Sequence, residues 1–273
     1  MEKLSYFAQL NELFVEWMDC LDDADKPLFC KDGLMLKAYK SEKSIDTLWD
    51  ESPRRVMFVL KDKNTPDGDD TRLWLVDGKK GKVNRELNSS EVTKTGFLPN
   101  IAKILYGLVV DTRGFDQLDM KKVVEVWNTV PFAFVEAKKL AGYSTVDKPQ
   151  IKKALEKEGH FLLREIKILN PNIIICCDAE DTQFDFITSE FEQIEKGKII
   201  EYKYPEKPHF VCGLRYYPTL NKVVIKSFHP TRIGKAGDWA IYEKVVSPFR
   251  QIVNNPDIIL KSFSLLSSCE SIM

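Results

Sequence analysis

The chain has 273 residues, enough for one large domain, and its 44% hydrophobic and 30% charged residues are ordinary for a globular protein. A formal net charge of −1 excludes a globally basic surface, so any contact with nucleic acid would depend on a local basic cluster. The six cysteines include no C-x-x-C pair, and we therefore expect reduced structural thiols, no metal and no cofactor.

The N-terminus shows no signal peptide of the basic-then-apolar kind. No apolar run approaches the ~20 residues that a membrane span needs. We therefore expect a cytoplasmic protein that makes no membrane contact.

The first fifty residues predict an N-terminal helical extension. Apolar residues recur at helical spacing over residues 4–20, whereas residues 34–50 are ambiguous. We expect residues 51–256 to form one α/β domain, on which the extension packs, and residues 257–273 to form a C-terminal tail.

Four short apolar runs predict the strands of this domain, and helical patterns lie between them. The predicted strands are Val56–Leu60, Val123–Val130, Ile173–Cys177 and Lys222–Lys226. The predicted helices cover residues 97–108, 147–169, 179–195 and 237–254. Short β-branched runs that alternate with helices are typical of parallel strands covered on both faces.

Three of the four runs end in a polar residue at the same place, namely Asp62, Asn128 and His229. In a parallel sheet, ligands bind at the carboxyl ends of the strands. Each residue alone has a structural explanation, because Asp and Asn are common in turns and an isolated His is often structural. The combination predicts the rim of an active site.

The residue types indicate the chemistry of that rim. A carboxylate such as Asp62 can orient a water and stabilise a developing cation. The amide of Asn128 carries a donor and an acceptor, which suits the edge of a base. The imidazole of His229 can donate to a developing oxyanion, and Thr231 and Arg232 can bind phosphate.

These segments resemble the uracil-DNA glycosylase superfamily. The segment 223–232, with its His-Pro-Thr, is similar to the closing motif of that family, and the Asn-Pro-Asn at 170–172 resembles the entry to its preceding strand. Trp127-Asn128-Thr129-Val130 resembles the strand whose Asn reads uracil, and residues 56–64 lie where the water-activating loop belongs. The resemblance covers roughly residues 54–250 in family order.

The resemblance implies a three-layer α/β/α fold with a central parallel four-stranded sheet. It also implies hydrolysis of the N-glycosidic bond of a damaged or modified base flipped out of single- or double-stranded DNA. In these roles Asp62 positions water and supports the sugar cation, Asn128 binds the base, and His229 stabilises the leaving base. Trp74 would stack on the base, and the residues expected at the DNA phosphates are Lys61, Lys63, Asn64, Thr231 and Arg232.

The first motif departs from the family, because Leu60-Lys61-Asp62-Lys63-Asn64 contains neither the Gly nor the Pro found there. Two alternatives therefore stay open. One is a catalytically inactive nucleic-acid-binding or nucleotide-binding protein on the same fold. The other, which the near-zero net charge favours, is a protein-interaction module with a vestigial pocket. A fold alone does not decide among them.

Overall fold

The computed structural model describes residues 4–76, 87–142, 148–178, 181–203, 213–231 and 237–254. These residues form seven α-helices and one seven-stranded sheet. The helices are α1 (Tyr6–Asp19), α2 (Ile45–Glu51), α3 (Phe97–Val109), α4 (Met120–Thr129), α5 (Lys148–Leu169), α6 (Thr182–Ile194) and α7 (Gly237–Val253). The strands are β1 (Gly33–Leu34), β2 (Val56–Leu60), β3 (Phe132–Glu136), β4 (Ile173–Cys176), β5 (Ile200–Lys203), β6 (Gly213–Tyr217) and β7 (Lys222–Lys226).

The sheet is mixed, and its strand order is β1-β3-β2-β4-β7-β6-β5. The predicted α/β class is confirmed, but the expectation of a four-stranded parallel sheet is wrong. Strands β3, β2, β4 and β7 run parallel to one another. Strand β1 is antiparallel to β3 at one edge, and β6 and β5 add antiparallel strands at the other.

Side chains of the central strands alternate between two hydrophobic cores. In β2, Phe58 and Leu60 face the core that includes α3, α4 and α7, which we call the α3 face. Met57 and Val59 face the core that includes α1, α5 and α6, which we call the α5 face. The period-two alternation of a strand therefore accounts for helices on both sides of the sheet.

The predicted second strand, Val123–Val130, is wrong, because these residues belong to helix α4 and its C-terminal cap. Its buried residues Val123, Val126 and Trp127 recur at spacings of three and four, which is the helical period. Asp119 caps the helix, since its carboxylate accepts from the backbone N–H groups of Lys121 and Lys122. The strand that pairs with β2 begins only after Pro131.

The N-terminal segment contributes to the sheet as well as covering it. Helix α1 packs against α5, and β1 supplies the antiparallel edge strand. This two-residue strand is too short to leave a recognisable pattern in the sequence. The predicted tail, residues 257–273, lies outside the described residues. Within the described part of the chain, no helix combines the length and apolar character needed to cross a membrane.

Candidate functional site

The carboxyl ends of the four parallel strands meet at one edge of the sheet. The register pairs Leu60 of β2 with Glu136 of β3, and Ile175 of β4 with Ile225 of β7. The chain leaves β2 towards Asp62 and leaves β7 towards His229. Two of the three predicted strand-end residues therefore lie at this edge.

His229 is held by a local turn and an aromatic ring. Its Nδ1 lies 2.7 Å from Oγ1 of Thr231, and the backbone N–H of Thr231 donates to the same nitrogen at 3.3 Å. The imidazole stacks on Phe97, the first residue of α3, with ring centroids 5.5 Å apart and planes inclined by 23°. The amide of Asn100 on α3 also donates to the carbonyl of Pro230 at 2.7 Å, which ties the turn to the helix.

These contacts determine the protonation state of His229. Because a backbone N–H donates to Nδ1, that nitrogen is an acceptor and the ring proton lies on Nε2. Burial, together with the positive charge of Lys61, lowers the pKa of His229 from 6.5 to about 4. At neutral pH the side chain is therefore an uncharged imidazole with one N–H donor at Nε2.

Asp62 lies under the segment that follows β3. Its carboxylate pairs with the ammonium of Lys138 at 3.1 Å, and its side chain is only 6% exposed. Burial raises the pKa of Asp62 above its ordinary value, and the positive charges of Lys138 and Lys61 offset this only in part. Gly142 packs so closely that a Cβ atom at this position would overlap Oδ2 of Asp62.

The other residues predicted to bind phosphate differ in their exposure and in their interaction partners. Lys61 is close enough to His229 and Asp62 to influence the pKa of both. The ammonium of Lys63 forms an ion pair with the carboxylate of Asp69 at 3.2 Å. Asn64 is exposed, and its backbone forms an isolated parallel β-bridge with that of Gly142. Thr231 is exposed and contacts His229, whereas Arg232 lies outside the described residues.

Trp74, the predicted stacking residue, belongs to an aromatic cluster at this edge. Its ring lies 5.9 Å from that of Phe97, which in turn lies 5.3 Å from Phe134 of β3. Phe97 therefore connects Trp74 with the ends of β3 and β7. The cluster places an aromatic surface beside His229.

Asn128, the predicted base-binding residue, does not lie at this edge. It is in the last turn of α4, and its backbone carbonyl accepts from the N–H of Lys40. It precedes the start of β3, so the length of a five-residue strand, about 15 Å, separates it from the carboxyl edge. The prediction that Asn128 follows a strand was wrong, because it treated a helical valine pattern as a strand.

The residue that occupies the end of β3 is Glu136, which the sequence reasoning missed. Glu136 is 3% exposed, and burial raises the pKa of its carboxyl to about 8. The signal was present in the sequence, since the apolar run after Pro131 ends at this acid. Phe97 begins the correctly predicted helix over residues 97–108, but its apolar side chain gives no sign in the sequence of a contact with His229.

The arrangement offers both neutral and charged hydrogen-bond donors. No group of three His, Cys, Asp or Glu side chains in the described ranges is placed to hold a metal ion. Cys176 and Cys177 are buried, and burial raises the pKa of both thiols.

No protein-family model matches the chain, and no curated protein is significantly similar to it in sequence. The resemblance to the uracil-DNA glycosylase superfamily therefore stays a prediction from the sequence motifs.

Proposed function

We propose that this protein hydrolyses the N-glycosidic bond of a damaged or modified base in DNA, with the reaction centred on Asp62 and His229. One observation carries the proposal. A carboxylate and a neutral imidazole, far apart in the chain, lie at the same edge of a sheet whose central strands are parallel. Ligands bind at this edge in α/β proteins.

His229 supports the departure of the base. Cleavage of an N-glycosidic bond moves negative charge onto the leaving base. The Nε2–H of His229 can donate to the atom on which this charge develops, and the ring starts neutral, so the interaction strengthens in the transition state. Phe97 behind the ring fixes its plane.

Asp62 supports the sugar. A carboxylate at this position can stabilise an oxocarbenium-like sugar and orient the attacking water. The ammonium of Lys138 favours its charged form against the burial that opposes it. Lys61 and Lys138 also place positive charge where DNA phosphates would approach.

Base release from single- and double-stranded oligonucleotides that carry uracil or hypoxanthine tests the proposal. We expect Asp62→Ala and His229→Ala each to lower the rate of release by about a hundredfold or more. Asp67→Ala is the matched control, because it removes an exposed carboxylate from the same loop. Full activity in Asp62→Ala, or no release by the folded wild type, would contradict the proposal.

A second function, nucleotide or nucleic-acid binding without hydrolysis, is favoured by the closed surroundings of Asp62. Its ion pair with Lys138 and the close contact of Gly142 leave little of the carboxylate exposed. This alternative predicts oligonucleotide binding that weakens with salt, together with no base release. Measuring base release together with salt-dependent oligonucleotide binding therefore separates the two functions.

A further inference from the structure

Glu136 has a buried carboxyl oxygen that the proposed reaction does not use. Its side chain is 3% exposed, and Oε2 has no hydrogen-bond partner among the residues that the structure describes. An unpaired buried oxygen of this kind costs about 1–3 kcal/mol, so its retention calls for an explanation.

The position of Glu136 connects it to the candidate site. Phe132 and Phe134 of the same strand face the α3 face, and alternation places Glu136 on that face one step nearer the carboxyl edge. The ring of Phe97 lies 5.3 Å from that of Phe134 and 5.5 Å from that of His229, measured between ring centroids. Glu136, two residues beyond Phe134 on the same face, therefore lies at the same edge of the sheet as His229.

A second unpartnered polar group lies on the same side of the sheet. Ser227 directly follows β7, and the alternation of Val223 and Ile225 places it on the α3 face. Its hydroxyl is buried, and the described residues offer it no hydrogen-bond partner. Glu136 and Ser227 therefore each bring a buried polar atom without a described partner to this edge, and a bound polar ligand could supply such a partner.

The charged groups around Glu136 come from three neighbouring segments. Asp32 raises its pKa, and Lys139 lowers it; both lie beside β3, and Asp32 accepts from the backbone N–H of Glu136 at 2.6 Å. From the β2 side, Asp62 raises the pKa of Glu136 and Lys63 lowers it. Cys177, which follows β4, is close enough that Glu136 raises the pKa of its thiol. Burial is the largest influence and brings the pKa to about 8, so the carboxyl is protonated at neutral pH.

We propose that Glu136 determines base specificity, because its carboxylic acid donates a hydrogen bond to one atom of a bound base and accepts one from the adjacent N–H. This inference rests on the proposed function. It defines the substrate class as a base with an acceptor beside a donor, either a lactam edge as in uracil or an amidine edge as in cytosine. A base methylated on the ring nitrogen of its lactam edge lacks the donor.

The test uses binding rather than cleavage. The probes are single-stranded oligonucleotides that carry one 2′-fluoro-2′-deoxyuridine, its N3-methyl derivative, or 2′-fluoro-2′-deoxycytidine, since the fluorine slows glycosidic cleavage. Fluorescence anisotropy gives the dissociation constant of each. At about pH 6 we expect the wild type to bind the uridine or the cytidine probe about tenfold more tightly than the N3-methyl probe.

Two variants of Glu136 isolate its contribution. Glu136→Ala is expected to lose the preference, whereas Glu136→Gln keeps a donor and an acceptor and retains it. At about pH 9 we expect the wild type to lose its preference for the unmethylated probes, because the carboxyl of Glu136 ionises. The side chain of Glu136→Gln does not ionise, so any change in the preference of this variant at about pH 9 reports ionisation of the base. Glu125→Gln, an exposed change on α4, is the control and leaves the preference unchanged.

The outcomes distinguish this inference from the proposed hydrolysis. Base preference that depends on Glu136, without base release, supports base reading and contradicts hydrolysis. Base release with a preference unchanged in Glu136→Ala supports hydrolysis and overturns the role of Glu136. Equal binding of all three probes, or no binding of any, also overturns it.

Discussion

At the residue scale, the state of His229 is a consequence of its surroundings. Burial against Phe97 and the nearby charge of Lys61 both disfavour the imidazolium, and they lower the pKa from 6.5 to about 4. Because protonation is linked to folding, this lowered pKa makes the free energy of unfolding depend on pH.

We predict that stability decreases as pH falls from about 6.5 to about 4, and that His229→Gln removes part of this decrease. Between these values the unfolded chain binds a proton that the folded protein does not, so acid favours unfolding. Allowing for the partial exposure of the ring, the contribution amounts to about 2 kcal/mol. Urea unfolding of wild type and variant at about pH 4.5 and pH 7.5 measures it.

The comparison needs a control because carboxylates also titrate in this range. His160→Gln changes an exposed histidine on α5 and tests for a general effect of removing an imidazole. A difference between wild type and His229→Gln that stays constant with pH would show that His229 titrates normally in the folded protein.

The position of His229 at the end of β7 was predictable from sequence because its strand and the turn after it are local features. The apolar run before Glu136 likewise marks a strand end, but the register of Glu136 with β2 and its lack of a described partner are features that only the assembled sheet creates. Phe97 likewise reads as an apolar helix residue until its stacking on His229 is known.

At the element scale, the segments after β2 and β3 are joined beyond the ends of the strands. The N–H of Lys138 donates to the carbonyl of Lys61, the N–H of Gly142 to that of Lys63, and the N–H of Thr65 to that of Gly142. This pairing holds Asp62 beneath Gly142. Its geometry depends on residue 142 having no side chain.

We predict that Gly142→Ala destabilises the protein by about 1–3 kcal/mol, because the added methyl group overlaps the carboxylate of Asp62. The variant must move Asp62 away from Lys138 or separate the two segments. It should therefore also lower any activity that depends on Asp62. Urea unfolding and the base-release assay, carried out on the same preparation, measure both effects.

Gly114→Ala is the matched control for this prediction. Its φ of −66° suits any residue, and the nearest atom to an added Cβ is 3.7 Å away, at the carboxylate of Glu243. We expect a change within about 0.5 kcal/mol. Equal effects of the two substitutions would show that the contact with Asp62 is not responsible.

Long elements with a clear hydrophobic period were predictable from sequence. Helix α4 was not, because its residue types and their spacing favour different structures. Its valines favour a strand by residue type, while their spacing of three and four favours a helix. The cap at Asp119 and the exposed Lys121 and Lys122 support the helix. The wrong assignment displaced Asn128, one of the three predicted strand-end residues, by the length of a strand.

At the scale of the whole molecule, a buried ionic cluster connects the N-terminal segment, the sheet and α5. Lys139 donates to Asp32 at 2.5 Å and to Glu165 at 2.7 Å, and all three side chains are fully buried. Burial opposes the charge on Lys139, but the two acidic groups outweigh it and raise its pKa. Because Asp32 also accepts from the N–H of Glu136, the cluster supports the candidate site.

We predict that Lys139→Met destabilises the protein by about 3–5 kcal/mol, since removal of the cation leaves buried acidic groups without their partner. Lys152→Met removes the lysine of an exposed pair, whose atoms are 3.7 Å apart, and should cost less than about 0.5 kcal/mol. Urea unfolding at neutral pH compares the two.

The triple variant Asp32→Asn, Lys139→Met, Glu165→Gln separates charge from packing. If the uncompensated charge is the cause, neutralising all three side chains restores part of the stability lost in Lys139→Met alone. If the triple variant is less stable than the single one, the cluster contributes through its hydrogen bonds and shape instead. In either case the loss should extend to α1 and β1, because Asp32 attaches the N-terminal segment to the sheet, and hydrogen exchange of those amides would detect it.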